Sequence, residues 1–189
     1  PCVNLSPPQL QSVLVQSGSL GGGWMSDSGK MTTVLGAGTM GAGIAQSLAD
    51  HGFRVTLCDV ESQALERART RIAVSRRTLE SAGLQTHAQS VLGDSLLTTS
   101  CSIEDVAPQS DLIIESVSEN LEVKTDVFRQ LDRLAPSHAA IVSNTSGLSI
   151  TSLATVTNRP TQVAGFHWFN PAELVPLVEV TSGSETSRR

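Results

Sequence analysis

The sequence predicts a doubly wound α/β fold, a mostly parallel sheet between two layers of helices with an antiparallel part at its C-terminal end. Three observations predict it. From Met31 to Pro136, short β-branched and apolar runs alternate with longer amphipathic ones, the rhythm of strands joined by helical crossovers. The first short run opens directly onto a glycine-rich turn, Gly36-Ala37-Gly38-Thr39-Met40-Gly41. After Pro160 the alternation stops, and two apolar runs follow each other around Asn170-Pro171 with no long helix between them, which is the pattern of a hairpin.

In chain order, Met31–Leu35 reads as a strand and Thr39–His51 as a helix of small apolar residues able to pack close to a sheet. Arg54–Cys58 is a second strand. Glu61–Ala82 is a long helix rich in Arg and Ala, with Gly83 as its stop. Leu96–Thr99 is a weaker strand, whereas Leu112–Val117 (LIIESV) has the composition of one buried on both faces. Leu121–Leu134 is a helix whose apolar stripe is Val123, Val127, Leu131 and Leu134, closed by Pro136. Ala139–Ser143, Val163–Phe166 and Val175–Val180 complete the strands.

The chain has 189 residues, enough for one domain with a substantial core. Its 39% hydrophobic and 16% charged residues are a folded protein's balance, and a net charge of −5 disfavours a nucleic-acid-binding face. No apolar run is long enough to span a bilayer, so no membrane is expected. Three cysteines at unrelated spacings (Cys2, Cys58, Cys101) indicate neither a disulfide framework nor a zinc site, and no metal is expected. A reducing, cytoplasmic location fits, with the mitochondrial matrix or peroxisome as other settings. Residues 1–30, with Pro7-Pro8 and Gly21-Gly22-Gly23, lack the pattern of a secretory signal and read as a flexible leader or cloning remnant. Residues 31–182 form the expected domain and 183–189 a linker-like tail.

The turn at Gly36 fits the G-x-G-x-x-G pattern of a Rossmann-type dinucleotide site. The first glycine allows the tight turn, the second lets the backbone approach a pyrophosphate, and the third lets helix and strand pack closely. The phosphates would then meet free N–H groups at the positive end of the helix. Asp59 closes the second strand 23 positions after Gly36. A carboxylate there accepts bonds from the ribose hydroxyls and repels a 2′-phosphate, which favours NAD over NADP.

Four blocks, in order, then carry a resemblance. They are the phosphate loop with Asp59; Glu115-Ser-Val-Ser-Glu119-Asn120 with Lys124; Ser143-Asn144-Thr145-Ser146; and Phe166-His167-Trp168-Phe169-Asn170-Pro171 followed by Leu177-Val178-Glu179-Val180. Together they resemble the 3-hydroxyacyl-CoA dehydrogenase family over essentially the whole of 31–182. The resemblance implies NAD-dependent interconversion of (S)-3-hydroxyacyl-CoA and 3-oxoacyl-CoA, with His167 as general acid/base and Glu179 as its partner. Ser146 and Asn170 would contact the substrate oxygen or orient the histidine. Gly36, Gly38, Thr39, Met40, Gly41, Asp59, Glu119, Lys124 and Asn144 would hold NAD. The chemistry agrees: oxidising a secondary alcohol needs a base that titrates near neutrality, and a carboxylate behind an imidazole fixes its tautomer.

Family members continue into an all-helical domain that closes over the acyl chain and supplies dimer contacts. The tail Thr181–Arg189 resembles the linker into it, so the chain is expected to be an incomplete enzyme, homodimeric in its longer form and weakly so alone. The arginines of the second helix (Arg67, Arg69, Arg71, Arg76, Arg77) face the CoA nucleotide or form a solvated face. The Lys that the family often carries near Ser81-Ala82-Gly83 is missing here. Trp168, where Phe is more usual, keeps open a free hydroxy acid, a carnitine-like or a carrier-protein-bound substrate. A non-catalytic, crystallin-like NAD-binding protein is the reading from another class. His51, His87 and His138 read as surface residues.

Overall fold

The computed structural model describes residues 2–4 and 30–187. The elements are strand β1 (Cys2–Asn4), β2 (Met31–Leu35), helix α1 (Thr39–Asp50), β3 (Arg54–Cys58), α2 (Ser62–Ser81), α3 (His87–Leu96) and β4 (Leu97–Ser100). There follow α4 (Ile103–Val106), β5 (Leu112–Glu115), α5 (Leu121–Leu134), β6 (Ala140–Ser143), α6 (Ile150–Ala154), β7 (Val163–Trp168) and β8 (Leu177–Ser182). They build an eight-stranded sheet in the order β1-β8-β7-β6-β5-β2-β3-β4. From β4 to β7 every pairing is parallel, while β8 runs antiparallel to both β7 and β1. The order reverses at β2, which lies between β3 and β5. That is the switch point at which open α/β sheets leave a crevice beyond the C-terminal strand ends.

Two cores, one on each side, make the sheet doubly wound. Successive strand residues alternate between them: Val34, Leu57, Ile114, Val142 and Ala164 pack with α1 and α2, while Leu35, Cys58, Ile113, Ile141 and Val163 pack with α5 and α6. The two-residue period of an extended chain produces this division. α1 is buried from Gly41 through Asp50, as its small side chains imply. Cys58 is buried at the end of β3, and its thiol is pushed up to about 12, first by burial and then by the Asp59 carboxylate.

Several expectations shift. The strands read as Leu112–Val117, Val163–Phe166 and Val175–Val180 are Leu112–Glu115, Val163–Trp168 and Leu177–Ser182, so His167 lies inside a strand. The buried stripe of α5 is Lys124, Phe128 and Leu131; Val123 is exposed. Helix α3 lies where the sequence suggested only loop. Thr86 accepts from Gln89 N–H and Gln89 returns a bond to the Thr86 backbone, a capping box that starts it. Gly93 within α3 is needed because a Cβ there would collide with Asp50 and Arg76. His51 is not a surface residue: its Nε2 is buried and its Nδ1 lies 2.7 Å from Ser47 O. Of the leader, Cys2–Asn4 pair with Leu177–Glu179 of β8; residues 5–29 lie outside the described residues.

Candidate functional site

The glycine loop joins β2 to α1 at the switch point. Gly36 has φ +97°, and a Cβ on it would collide with the Ser116 carbonyl, so the turn needs glycine twice over. Gly41 has no room for a Cβ against the Gly36 carbonyl, which holds helix and strand together. Gly38 is the opposite case: it caps α1 and nothing lies within 4 Å of where its Cβ would stand. No side chain caps this helix or α2, whereas Thr86, Ser102, Asn120 and Ser149 cap α3, α4, α5 and α6. An uncapped N-terminus with open space before it fits a pyrophosphate in place of a side chain. Thr39 is exposed there, and Met40 packs partly against the core. Asp59 stands beside the loop, its carboxylate accepting from Ala37 N–H at 2.7 Å and from Glu61 N–H at 3.0 Å.

The remaining expected residues gather at the C-terminal ends of β5, β6 and β7 and at the N-terminal end of the antiparallel β8. His167 and Glu179 are directly opposite in the β7–β8 ladder, with Nδ1 3.4 Å from Oε2. Phe169 packs on the imidazole, ring centroids 4.7 Å apart; sequence reasoning gave this residue no role, although its i+2 spacing from His167 in a strand was a signal. Trp168 points the other way. It is buried in the core of the α1 side, edge-on to Phe166 at 5.7 Å, so its departure from Phe is a core substitution and carries no information about substrate.

Asn144 bridges three segments: its amide nitrogen donates to Ser116 Oγ at 3.3 Å, and its carbonyl accepts from Trp168 N–H at 2.9 Å. Ser146 and Asn170 are exposed. Lys124 is 1% exposed, with Nζ 2.6 Å from Glu115 and 3.3 Å from Glu119. Its ammonium is therefore taken up inside the fold and reaches the crevice through Glu119. Burial pushes the Glu119 carboxyl up, but bonds from Thr145, Lys124 and the Ser146 N–H outweigh it and hold the group below the ordinary carboxylate range. The arginines of α2 divide as well. Arg76 is buried against Asp50 and Asp94 and is withdrawn from any phosphate, whereas Arg67 and Arg71 line an open groove of about 830 Å³ with Gln63, Glu66, Thr70, Val74 and Ser75. Among the described residues no cluster of metal-ligating side chains occurs, and no helix is long and apolar enough to cross a membrane.

Residues 31–189 match the family model of the 3-hydroxyacyl-CoA dehydrogenase NAD-binding domain. The chain belongs to this family. Relatives include a probable 3-hydroxybutyryl-CoA dehydrogenase of Bacillus subtilis (strain 168), 41% identical over 84% of this chain and 55% of its own length. Another is the 5-formyl-3-hydroxy-2-methylpyridine 4-carboxylate 5-dehydrogenase of Mesorhizobium japonicum, 36% identical over 82% of this chain and 49% of its own. Among solved structures, the (S)-3-hydroxybutyryl-CoA dehydrogenase of Ralstonia eutropha superposes with a TM-score of 0.80 at 35% identity, over 84% of this chain and 56% of that one. The chain thus spans about half the length of the curated relatives it matches, and within this 3-hydroxyacyl-CoA dehydrogenase family it covers the NAD-binding part.

Proposed function

We propose that the chain carries the cofactor site and the acid–base pair of an NAD-dependent dehydrogenase that interconverts (S)-3-hydroxyacyl-CoA and 3-oxoacyl-CoA. The observation that carries this reading is the opposition of His167 and Glu179 on two strands at the rim of the crevice that the glycine loop opens. NAD would be held by the N–H groups at the start of α1, by Asp59 on the adenosine side and by Glu119 and Asn144 on the other. When bound, it supplies the acceptor or donor of the hydride.

The chain's own residues handle the proton. His167 takes it from the substrate hydroxyl in oxidation and returns it in reduction. Glu179 holds the ring in one tautomer and stabilises the imidazolium, and Phe169 limits its rotation and its contact with water. Ser146 and Asn170, exposed on the turns after β6 and β7, would bond the substrate oxygen or orient the imidazole. The groove lined by Arg67 and Arg71 offers cationic groups to the phosphates of a CoA moiety. The free thiols Cys58 and Cys101 fit a reducing, cytoplasm-like compartment. A homodimer is the expected state of the protein at its full natural length.

A second reading, oxidation of a substrate that is not a thioester, is favoured by the Mesorhizobium japonicum relative at 36% identity. NADH consumption by the protein at its full natural length separates the two. Acetoacetyl-CoA should be reduced and free acetoacetate left nearly untouched, with NADPH a poor replacement because Asp59 faces its extra phosphate. Preference for the free acid would give the second reading; equal use of NADPH would remove the role of Asp59.

A further inference from the structure

Glu115 is the last residue of β5 and is 0% exposed. A buried carboxylate is costly unless it is paired and hydrogen-bonded, and both oxygens of this one are engaged. Oε1 accepts from Lys124 Nζ at 2.6 Å and from Val117 N–H at 2.7 Å, and Oε2 accepts from Ser143 Oγ at 2.6 Å. Each donor leads to a different part of the crevice. Lys124 also touches Glu119 Oε2 at 3.3 Å, and Glu119 Oε1 in turn accepts from Thr145 Oγ1 and from Ser146 N–H. Ser143 Oγ accepts from Thr145 N–H at 3.3 Å, and Thr145 Oγ1 from Leu148 N–H at 3.0 Å. The turn after β6 is thus held from both sides by one buried carboxylate.

The sheet register places this network next to the imidazole. Glu115 pairs with Ser143 and Ser143 with Gly165, and His167 stands two residues beyond Gly165 on the same face, about 7 Å along the strand. We propose that Glu115 is a positioning residue. It orients Glu119 through Lys124 and the 143–146 turn through Ser143, so the groups facing the nicotinamide half of the cofactor and those facing the substrate oxygen are set by one anchor. The inference rests on the dinucleotide reading of the crevice. Without the Glu115 charge, Lys124 keeps the Val117 carbonyl at 3.3 Å and has Glu119 as its one remaining carboxylate among the described residues. It draws Glu119 inward, away from Thr145 and the Ser146 N–H. The adenosine side, built from the glycine loop and Asp59 across the switch point, meets this segment only through backbone, Ser116 N–H donating to Leu35 at 2.7 Å. Among the described residues none of the side-chain bonds of the network reaches Asp59 or the loop.

That asymmetry supplies the test. NADH and ADP-ribose, which lacks the nicotinamide, are titrated by calorimetry against this chain, its Glu115→Gln variant and its Ser143→Ala variant, with circular dichroism melting on each sample. The wild type should bind NADH more tightly than ADP-ribose. Glu115→Gln should weaken NADH by about tenfold, the loss expected for one broken buried charged contact, while ADP-ribose affinity stays the same. Ser143→Ala removes only the bond to Oε2 and should give the same pattern at about threefold; it decides the matter alone if Glu115→Gln does not fold. Equal loss for both ligands, or no loss for either, would overturn the positioning role while leaving the dinucleotide site in place. Failure of the wild type to bind either ligand would remove the site itself, and the inference with it.

Discussion

Two buried cations in this domain have nearly the same surroundings. Arg76 lies between Asp50 and Asp94, and Lys124 between Glu115 and Glu119. In each trio one carboxylate is buried, Asp50 at 6% and Glu115 at 0%, and the other reaches solvent, Asp94 at 76% and Glu119 at 47%. They sit at opposite ends of the sheet. Asp50 closes α1 and Arg76 falls late in α2, where the crossovers return to the start of the next strand; Glu115 and Ser143 end their strands. The first trio ties helix to helix, with Gln85 adding a bond to Asp50 at 2.9 Å. The second ties strand ends to turns that carry exposed polar groups. Identical electrostatics thus serves as a clasp at one end and as a frame at the other, and the neighbours of the outer carboxylate make the difference.

The contrast can be broken from either end. The largest effect is expected at the functional end with no change in stability: in the protein at full natural length, His167→Gln should lower turnover by about 10² to 10⁴ while NADH affinity and melting temperature stay the same. Wild-type turnover with a substrate whose chemical step is rate-limiting would show that the imidazole is not the base.

At the other end, Arg76→Met leaves Asp50 buried without its partner. It should cost about 3–5 kcal/mol of stability, read from urea unfolding, with NADH affinity of the folded protein unchanged. A loss of NADH affinity in folded Arg76→Met would mean that the clasp also shapes the crevice.

The smallest effect is read by pH at the outer carboxylate of the functional end. Glu119 has its folded-state pKa lowered, so its contribution is fully present above the unfolded carboxylate value and disappears as pH falls through the folded one. The gap in melting temperature between wild type and Glu119→Gln should therefore be constant near neutrality and close below about pH 4.3. A gap that does not narrow at all as pH falls below that value would assign it to packing.

The first half of this organisation was visible in the chain itself. A strand, a G-x-G-x-x-G turn and a small-residue helix leave little choice of local structure, and Asp59 follows at the distance that a crossover requires. His167 and Glu179 were legible because a hairpin places residues 12 apart face to face around Asn170-Pro171. What escaped was polar and buried. Lys124 reads from the resemblance as a cofactor contact at the start of a helix and not as a buried residue, so the apolar stripe was drawn through Val123; the only hint was Glu115, an acid ending an otherwise apolar strand. Arg76 was hidden among four exposed arginines for the same reason, since nothing local distinguishes a guanidinium with a distant partner. Helix α3 was lost to its polar composition and internal Gly93, although Thr86 and Gln89 stood at capping-box spacing.

The β7–β8 ladder runs from Ala164 opposite Ser182 to Trp168 opposite Val178. The meeting of imidazole and carboxylate is therefore written into paired backbone. The connection 169–176 adds to it: Phe169 packs on the imidazole, Ala172 is buried in the core of the α1 side, and Glu173 accepts from Ser75 of α2 at 3.4 Å. A change of length confined to the exposed turn at Leu174 leaves His167 and Glu179 face to face. A slip of one residue within the strands has the opposite outcome, because the period of two would carry Glu179 to the side of Trp168. Descendants of this sequence can thus change the length between the two residues only where Phe169, Asn170 and Ala172 keep their places.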